Sequence, residues 1–278
     1  MNTATPVRHP AVAGRFYPND PAILREEVKS YLSQEGSRKR VRALGCVVPH
    51  AGYVYSGHVA GAVFSRLEVP ELCIILCPNH TGMGRALAIM SEGVWETPLG
   101  PVPIDKELAD ALKRRFPALE EDSVAHHAEH AIEVELPFLQ ILRPGIKFVP
   151  LALGTRHFEV LDELGIAIAD VIAEVIAAQS RPILIIASSD MNHYAPDALT
   201  RSKDQSAIDP MVALDPRALY DVATLQNISM CGLGPVVTML TAGKKLGAAS
   251  AELVKYATSG DISGDRNMVV GYAGVIVR

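Results

Sequence analysis

The sequence predicts an α/β fold, a single domain with a central mixed or largely parallel sheet flanked by helices. Three observations predict it. Short aliphatic runs of strand length alternate with longer segments of helical spacing along the whole chain. Hydrophobic residues make up 49% of the 278 positions but aromatic residues only 5%, so aliphatic strands and helices must fill the interior. No repeat, low-complexity tract or obvious linker divides the chain, and residues 1–278 therefore read as one domain.

The elements follow in order. Asp20 caps a helix with Pro21 at its first position, and Leu24, Val28 and Leu32 recur at helical spacing. Residues 43–48 and 72–77 read as strands, with "SGHVAGAVFSRL" (56–67) as the helix between them. Residues 85–90 and 93–95 predict further strands, and "TPLGPVPID" a turn between extended pieces. Asp105 starts a helix with Leu108 and Leu112 on one side. "AIEVELPFLQIL" (131–142) is helical until Pro137, which should kink or end it. A short strand over 146–151 precedes a long amphipathic helix over 159–178, through Leu161, Leu164, Ile168, Val171 and Val175. Residues 182–187 form a buried strand, 215–223 and 234–246 are helices, and "NMVVGYAGVIV" closes the chain as strand.

Composition narrows the function. The net charge of −5, with both signs spread along the chain, favours neither nucleic acid nor an anionic membrane. The basic run "SRKRVR" (37–42) reads as a solvated loop. No segment reaches the ~18 continuous apolar residues of a membrane span, and the first residues lack the apolar core of a signal peptide. Cys46, Cys73, Cys77 and Cys231 have no paired zinc-knuckle spacing, and reduced thiols in a cytoplasm are the expectation. Cys73 and Cys77 fall on one face of their strand and read as plain buried residues.

Three strands end in histidine. "GCVVPHAGY" leads to His50, "CIILCPNH" to His80, and "ILIIASSDMNHY" to Asp190 and His193. In an open α/β sheet, ligands bind beyond the carboxyl ends of parallel strands, so parallel strands bring these histidines to one edge. Pro49 and Pro78 stop their strands, and Gly52 and Gly82 allow close backbone approach. Cys231 in "SMCGLGP" stands just ahead of a helix, whose N-terminus favours thiolate. Imidazole with thiolate suits iron, copper or zinc rather than magnesium or calcium. Taken singly, each residue also has a structural reading: a hydrogen-bonded histidine or a buried cysteine. His9, His58 and His157 follow no strand end and read as structural.

"HHAEHAIE" (126–133) adds His126, His127 and His130. His126 and His130, four apart, offer a metal pair of their own, but the run is not HExxH. A role for His130 in supporting a ligand or in acid-base chemistry beside the strand-end site is preferred. "SGDISGDR" (259–266) reads either as cleft-lining turns or as plain surface turns. Tyr53 and Tyr55 either reach the cleft or are partly buried with satisfied hydroxyls.

Seven ordered motifs, "PAVAGRFYP", "VVPHAGYVYSG", "CPNHTG", "TPLG", "EHAIEVELPFL", "SSDMNHY" and "TSGDISGDRNMVVGYAG", resemble the Memo-like family, in prokaryotes the AmmeMemoRadiSam system B proteins. The resemblance implies a fold similar to class III extradiol dioxygenases, which hold non-haem Fe(II) with two histidines and a glutamate. It implies that His50 and His80 are the metal histidines, and that Cys231 stands in place of the glutamate. It makes His193 the acid-base histidine with Asp190 close by, and puts His130 near the cleft. The thiolate departs from that pattern, softens the site and favours Cu or Fe, with Zn as a further candidate. The implied function is a metal-dependent oxidoreductase acting on a small molecule. The alternative is a binding module that holds a peptide, a partner protein or a metal. Metal-assisted hydrolysis is weakest, because no second carboxylate is clearly placed as general base. The prokaryotic system name implies a functional link to radical-SAM and AMMECR1-like proteins.

Overall fold

A computed structural model describes residues 5–34 and 39–278. Part of the basic run, residues 37 and 38, lies outside the described residues. The first half of the chain contains β1 (Val7–Arg8), α1 (Pro21–Ser33), β2 (Gly45–Val48), α2 (Tyr53–Ser65), β3 (Leu72–Pro78), β4 (Leu87–Ile89), β5 (Val94–Thr97), β6 (Gly100–Pro103), α3 (Lys106–Arg115), β7 (Glu120–Glu121) and α4 (Val124–His127). A 3-10 turn, Glu133–Glu135, leads into α5 (Leu136–Leu142) and β8 (Lys147–Leu153). The second half contains α6 (Phe158–Gln179), β9 (Ile183–Ser188), β10 (His193–Ala195), α7 (Asp197–Val212), α8 (Pro216–Leu225), α9 (Leu233–Lys245), β11 (Ala251–Thr258), α10 (Gly260–Ser263) and β12 (Val269–Val277).

Among the described residues the main sheet has nine strands, in the order β10-β12-β2-β9-β3-β8-β4-β7, with β11 also paired to β12. Its centre is parallel: β2 beside β9, β9 beside β3, and β3 beside β8. The flanks are antiparallel where β12 meets β2 and β4 meets β8. The sheet is therefore mixed, with a parallel middle flanked by helices. A separate small sheet joins β1, β5 and β6, the last two pairing antiparallel across the turn expected within "TPLGPVPID".

Alternation along the strands gives each face its own core. Val47, Ile74, Leu76 and Ile185 share one core with Leu164 and Ile168 of α6 and Val237 and Leu240 of α9. Cys46, Cys73, Ile75, Cys77 and Ile186 share the other with Leu24 of α1, Phe64 of α2 and Phe138 of α5. Cys73 and Cys77 thus lie on one face, both buried. At α1, the Asp20 side chain accepts from the backbone N–H of Ala22 and Ile23 at 2.8 and 2.9 Å, the cap expected from its position before Pro21.

Two expectations about elements change. Pro137 does not end a helix but stands in the first turn of α5, where no intrahelical acceptor waits for the missing N–H. The residues before it form only a 3-10 turn. The 16-residue α7 was not expected, because its buried side includes Asp197, Thr200 and Asp204 beside Ala207, Ile208 and Met211, and Pro210 interrupts its pattern. Among the described residues no helix is long and apolar enough to cross a membrane.

Candidate metal centre

The parallel strands bring their carboxyl ends to one edge. β2, β3 and β9 end at Val48, Pro78 and Ser188, and His50, His80 and Asp190 follow just beyond. Cys231 reaches the same edge from the loop ahead of α9, with Gly232 at the helix cap. Gly232 is required there: a Cβ would meet the Ser188 carbonyl oxygen and the Ser189 Cβ at 2.4 Å each. Taking one donor atom from each, His50, His80 and Cys231 lie within 4.8 Å of one another.

Hydrogen bonds decide which atoms face inward. His50 Nδ1 lies 2.8 Å from Ser188 Oγ, and the Ser188 hydroxyl donates to the Ala131 carbonyl at 3.0 Å. With its one hydrogen used, Ser188 accepts from His50 Nδ1–H, and His50 Nε2 keeps its lone pair. That Nε2 lies 3.3 Å from Cys231 Sγ. His80 Nδ1 lies 2.9 Å from Glu129 Oε1. Glu129 is fully buried. Burial works to raise its pKa, but the His80 bond and charge and the backbone N–H bonds prevail and lower it. The carboxylate therefore accepts from His80 Nδ1–H and leaves His80 Nε2 free. It also accepts from the backbone N–H of His80 at 2.6 Å and of His130 and Ala131 at 2.9 Å each.

Both imidazoles are thus held by their Nδ1 side with Nε2 presented, the arrangement usual for a metal-ligating histidine. Burial, and then the proximity of His80, His130 and His193, hold the His50 pKa well below the usual imidazole range. For His80 burial acts downward, but the Glu129 hydrogen bond and charge outweigh it and the pKa is raised. The thiol of Cys231 behaves otherwise than its position ahead of a helix suggested. Burial, then the Asp190 charge, push its pKa up despite the N–H groups that point at the sulfur. Without metal, Cys231 S–H faces the His50 Nε2 lone pair. The donor set of two imidazole nitrogens and one sulfur fits a soft or borderline transition ion and suits a hard oxygen-seeking cation poorly.

The remaining expected residues surround this set. Asp190 Oδ1 accepts the His50 backbone N–H at 2.9 Å, and its own N–H points at Cys231 Sγ at 3.3 Å. Burial pushes its pKa up to about 7. His130 stacks on His80, centroids 4.9 Å apart, and meets His50 at 5.5 Å and Phe16 at 4.8 Å. It sits in irregular backbone, and burial lowers its pKa. His193 Nδ1–H donates to the Ser229 carbonyl at 3.0 Å, so Ser229 rather than Asp190 orients it. Burial lowers the His193 pKa, and its proximity helps hold the His50 pKa down.

His126 does not pair with His130. It is buried edge-on to Trp95, 5.6 Å between centroids. His80, Glu129 and His130 also lie within 4.8 Å of one another. Glu129 is already saturated by N–H donors, so it buttresses His80 rather than completing a second centre. In the "SGDISGDR" loop, Asp261 accepts from Arg201 at 2.7 Å and Arg266 pairs with Asp197 at 2.8 Å. The Tyr53 hydroxyl is buried and donates to the Val134 carbonyl at 2.6 Å. Sequence reasoning passed over Glu129, Ser188 and Ser229; a glutamate between histidines in "HAEH" was the one available signal.

Fold and site together define an α/β protein with a candidate histidine–cysteine metal centre at the carboxyl edge of its parallel strands. The chain belongs to the Memo-like protein family, whose sequence profile matches residues 8–276. A MEMO1 family protein of Methanothermobacter thermautotrophicus is 41% identical over 279 residues, covering 96% of this chain and 99% of that one. A MEMO1 family protein of Methanopyrus kandleri is 42% identical over 283 residues, covering 98% and 99%. Among solved structures, an uncharacterized protein of Escherichia coli K12 shares the fold, with TM-score 0.59 and 14% identity over 84% of this chain and all, 100%, of that one.

Proposed function

We propose that His50, His80 and Cys231 hold one iron or copper ion, with zinc as a redox-inactive occupant, and that the chain is a metal-dependent oxidoreductase acting on a small molecule. The observation that carries this is the convergence of two Nδ1-anchored imidazoles on the Cys231 sulfur. When bound, such an ion supplies Lewis acidity and, for iron or copper, electron transfer. The protein's own residues supply the rest. His193, anchored through Nδ1 and neutral, offers Nε2 to take or return a substrate proton, help typically worth ~10²–10⁴-fold in rate. Asp190, poised near neutrality, ties the His50 backbone to the Cys231 sulfur. His130 stacks beside His80 and supports proton movement at the same edge.

The relation to class III extradiol dioxygenases supports redox chemistry. The thiol in the donor set favours a second reading, a non-catalytic module that uses the cleft to hold a metal, a peptide or a partner protein. Residence in the cytoplasm and a link to radical-SAM and AMMECR1-like proteins belong to either reading. Cys231→Glu separates them from an inert site. The variant should bind Cu(I) more weakly than wild type and shift preference toward Fe(II), measured by competition under argon. Equal Cu(I) binding by both proteins would remove Cys231 from the centre and overturn the histidine–cysteine donor set on which both readings rest.

A further inference from the structure

The two candidate imidazole ligands are not backed alike. His80 leans on the Glu129 carboxylate, whereas His50 leans on an uncharged hydroxyl, Ser188. Near that hydroxyl is Glu135, at the end of the 3-10 turn and only 1% exposed. Among the described residues, neither of its carboxyl oxygens has a hydrogen-bond partner. Ser188 is the polar side chain that acts on it, and the Ser188 hydroxyl donates to the Ala131 carbonyl.

The groups that face Glu135 explain its state without metal. Cys46 of β2 and Cys73 and Cys77 of β3 face it as buried thiols, and Tyr53 of α2 as a buried phenol. Asp190, the charged group acting on it, has the same sign. Burial therefore holds Glu135 well above the usual carboxyl range, the direction that favours the neutral acid. The other two acids of the same run are already matched, Glu133 by Arg8 and Glu129 by His80.

We propose that Glu135 is the charge-compensating acid of the metal centre, uncharged while His50 is free and ionised when His50 takes a cation. This deepens the metal-binding reading and rests on it. On ionisation the carboxyl O–H bond breaks, its electron pair stays on oxygen and the proton passes to the buffer. The Ser188 O–H stays intact and turns from the Ala131 carbonyl to the new carboxylate, while Ser188 still accepts from His50 Nδ1–H. The His50 arm then matches the His80 arm, each imidazole backed by negative charge. No oxidant or reductant is involved.

The test is Zn²⁺ binding by wild type and Glu135→Gln at neutral pH, with calorimetric heats compared across buffers of different ionisation enthalpy. Gln keeps the shape and the neutral state but has no proton to release. Wild type should release about one proton more per zinc than Glu135→Gln. A metal-free arm reads the same group. A carboxyl with a raised folded pKa stabilises fully below its ordinary value of 4.5 and loses that contribution as pH rises toward the folded value. The Tm of Glu135→Gln should therefore gain on wild type as pH rises from 4.5 to neutrality. Equal proton counts with zinc bound to both proteins, or parallel Tm profiles, overturn the proposal. Zinc binding by neither overturns the metal reading as well. Should Glu135→Gln not fold, the infrared carbonyl band of a buried neutral acid is followed in Asp190→Asn, where it should vanish on zinc addition. Its persistence with zinc bound overturns the assignment.

Discussion

His50, His80 and Cys231 differ in kind from His193, although the sequence presents all three histidines alike. The first two are anchored at Nδ1 by side chains and turned toward a sulfur, whereas His193 is anchored by a backbone carbonyl at the side of the cleft. His193→Ala should therefore retain metal while losing the activity it serves, and His50→Ala should lose metal. Metal content of the two purified variants decides; equal loss would make His193 a ligand. Glu129 gives a second prediction through its pair with His80. Its own depressed pKa stabilises above the ordinary carboxyl value of 4.5 and is lost as pH falls through the folded value. The raised pKa of His80 stabilises below its ordinary value of 6.5 and is lost as pH rises through the folded value. Glu129→Gln should melt below wild type, with the widest gap at pH 4.5–6.5. A gap independent of pH would mean that the carboxylate acts only as an acceptor of backbone N–H groups. The histidines at strand ends could be read directly from the sequence, but their anchors could not. Glu129 and Ser188 lie 49 and 138 positions from the histidines they hold, and no local pattern records such pairings.

Strands β2, β3 and β9 were legible because runs such as "CIILCP" are buried on both faces and bounded by breakers. α7 and β11 were not. α7 turns Asp204 inward to accept from the Asn192 backbone and from the Tyr256 hydroxyl, so polar residues occupy positions that a helical pattern reserves for apolar ones. β11 is half-buried along most of its length and carries weak alternation. The element that matters most for the centre is α9, whose entry aims Cys231. Gly232→Ala would drive a methyl group into Ser188 and Ser189, and one of the two elements must give way. Overpacking of this kind typically costs about 1–3 kcal/mol. We expect a lower Tm together with loss of metal, because the displaced loop carries the sulfur away. A Gly232→Ala protein that melts lower but binds metal as wild type does would show that Cys231 is not positioned by this contact.

At the scale of the molecule, the sheet explains why a chain with scattered histidines has a site at all. A parallel centre sends β2, β3 and β9 to one edge, and the two hydrophobic layers beneath leave that edge as the place where polar side chains gather. Family membership extends over nearly the whole chain, so the same frame is common to the relatives it matches. The central claim is that one ion is held jointly by two imidazoles and the Cys231 sulfur. X-ray absorption at the zinc edge of zinc-loaded protein tests it most directly. The account predicts a sulfur scatterer at ~2.3 Å beside nitrogen scatterers at ~2.0–2.1 Å, with the sulfur shell absent in Cys231→Ser. A stoichiometric ion with nitrogen and oxygen neighbours alone in the wild-type protein would contradict it.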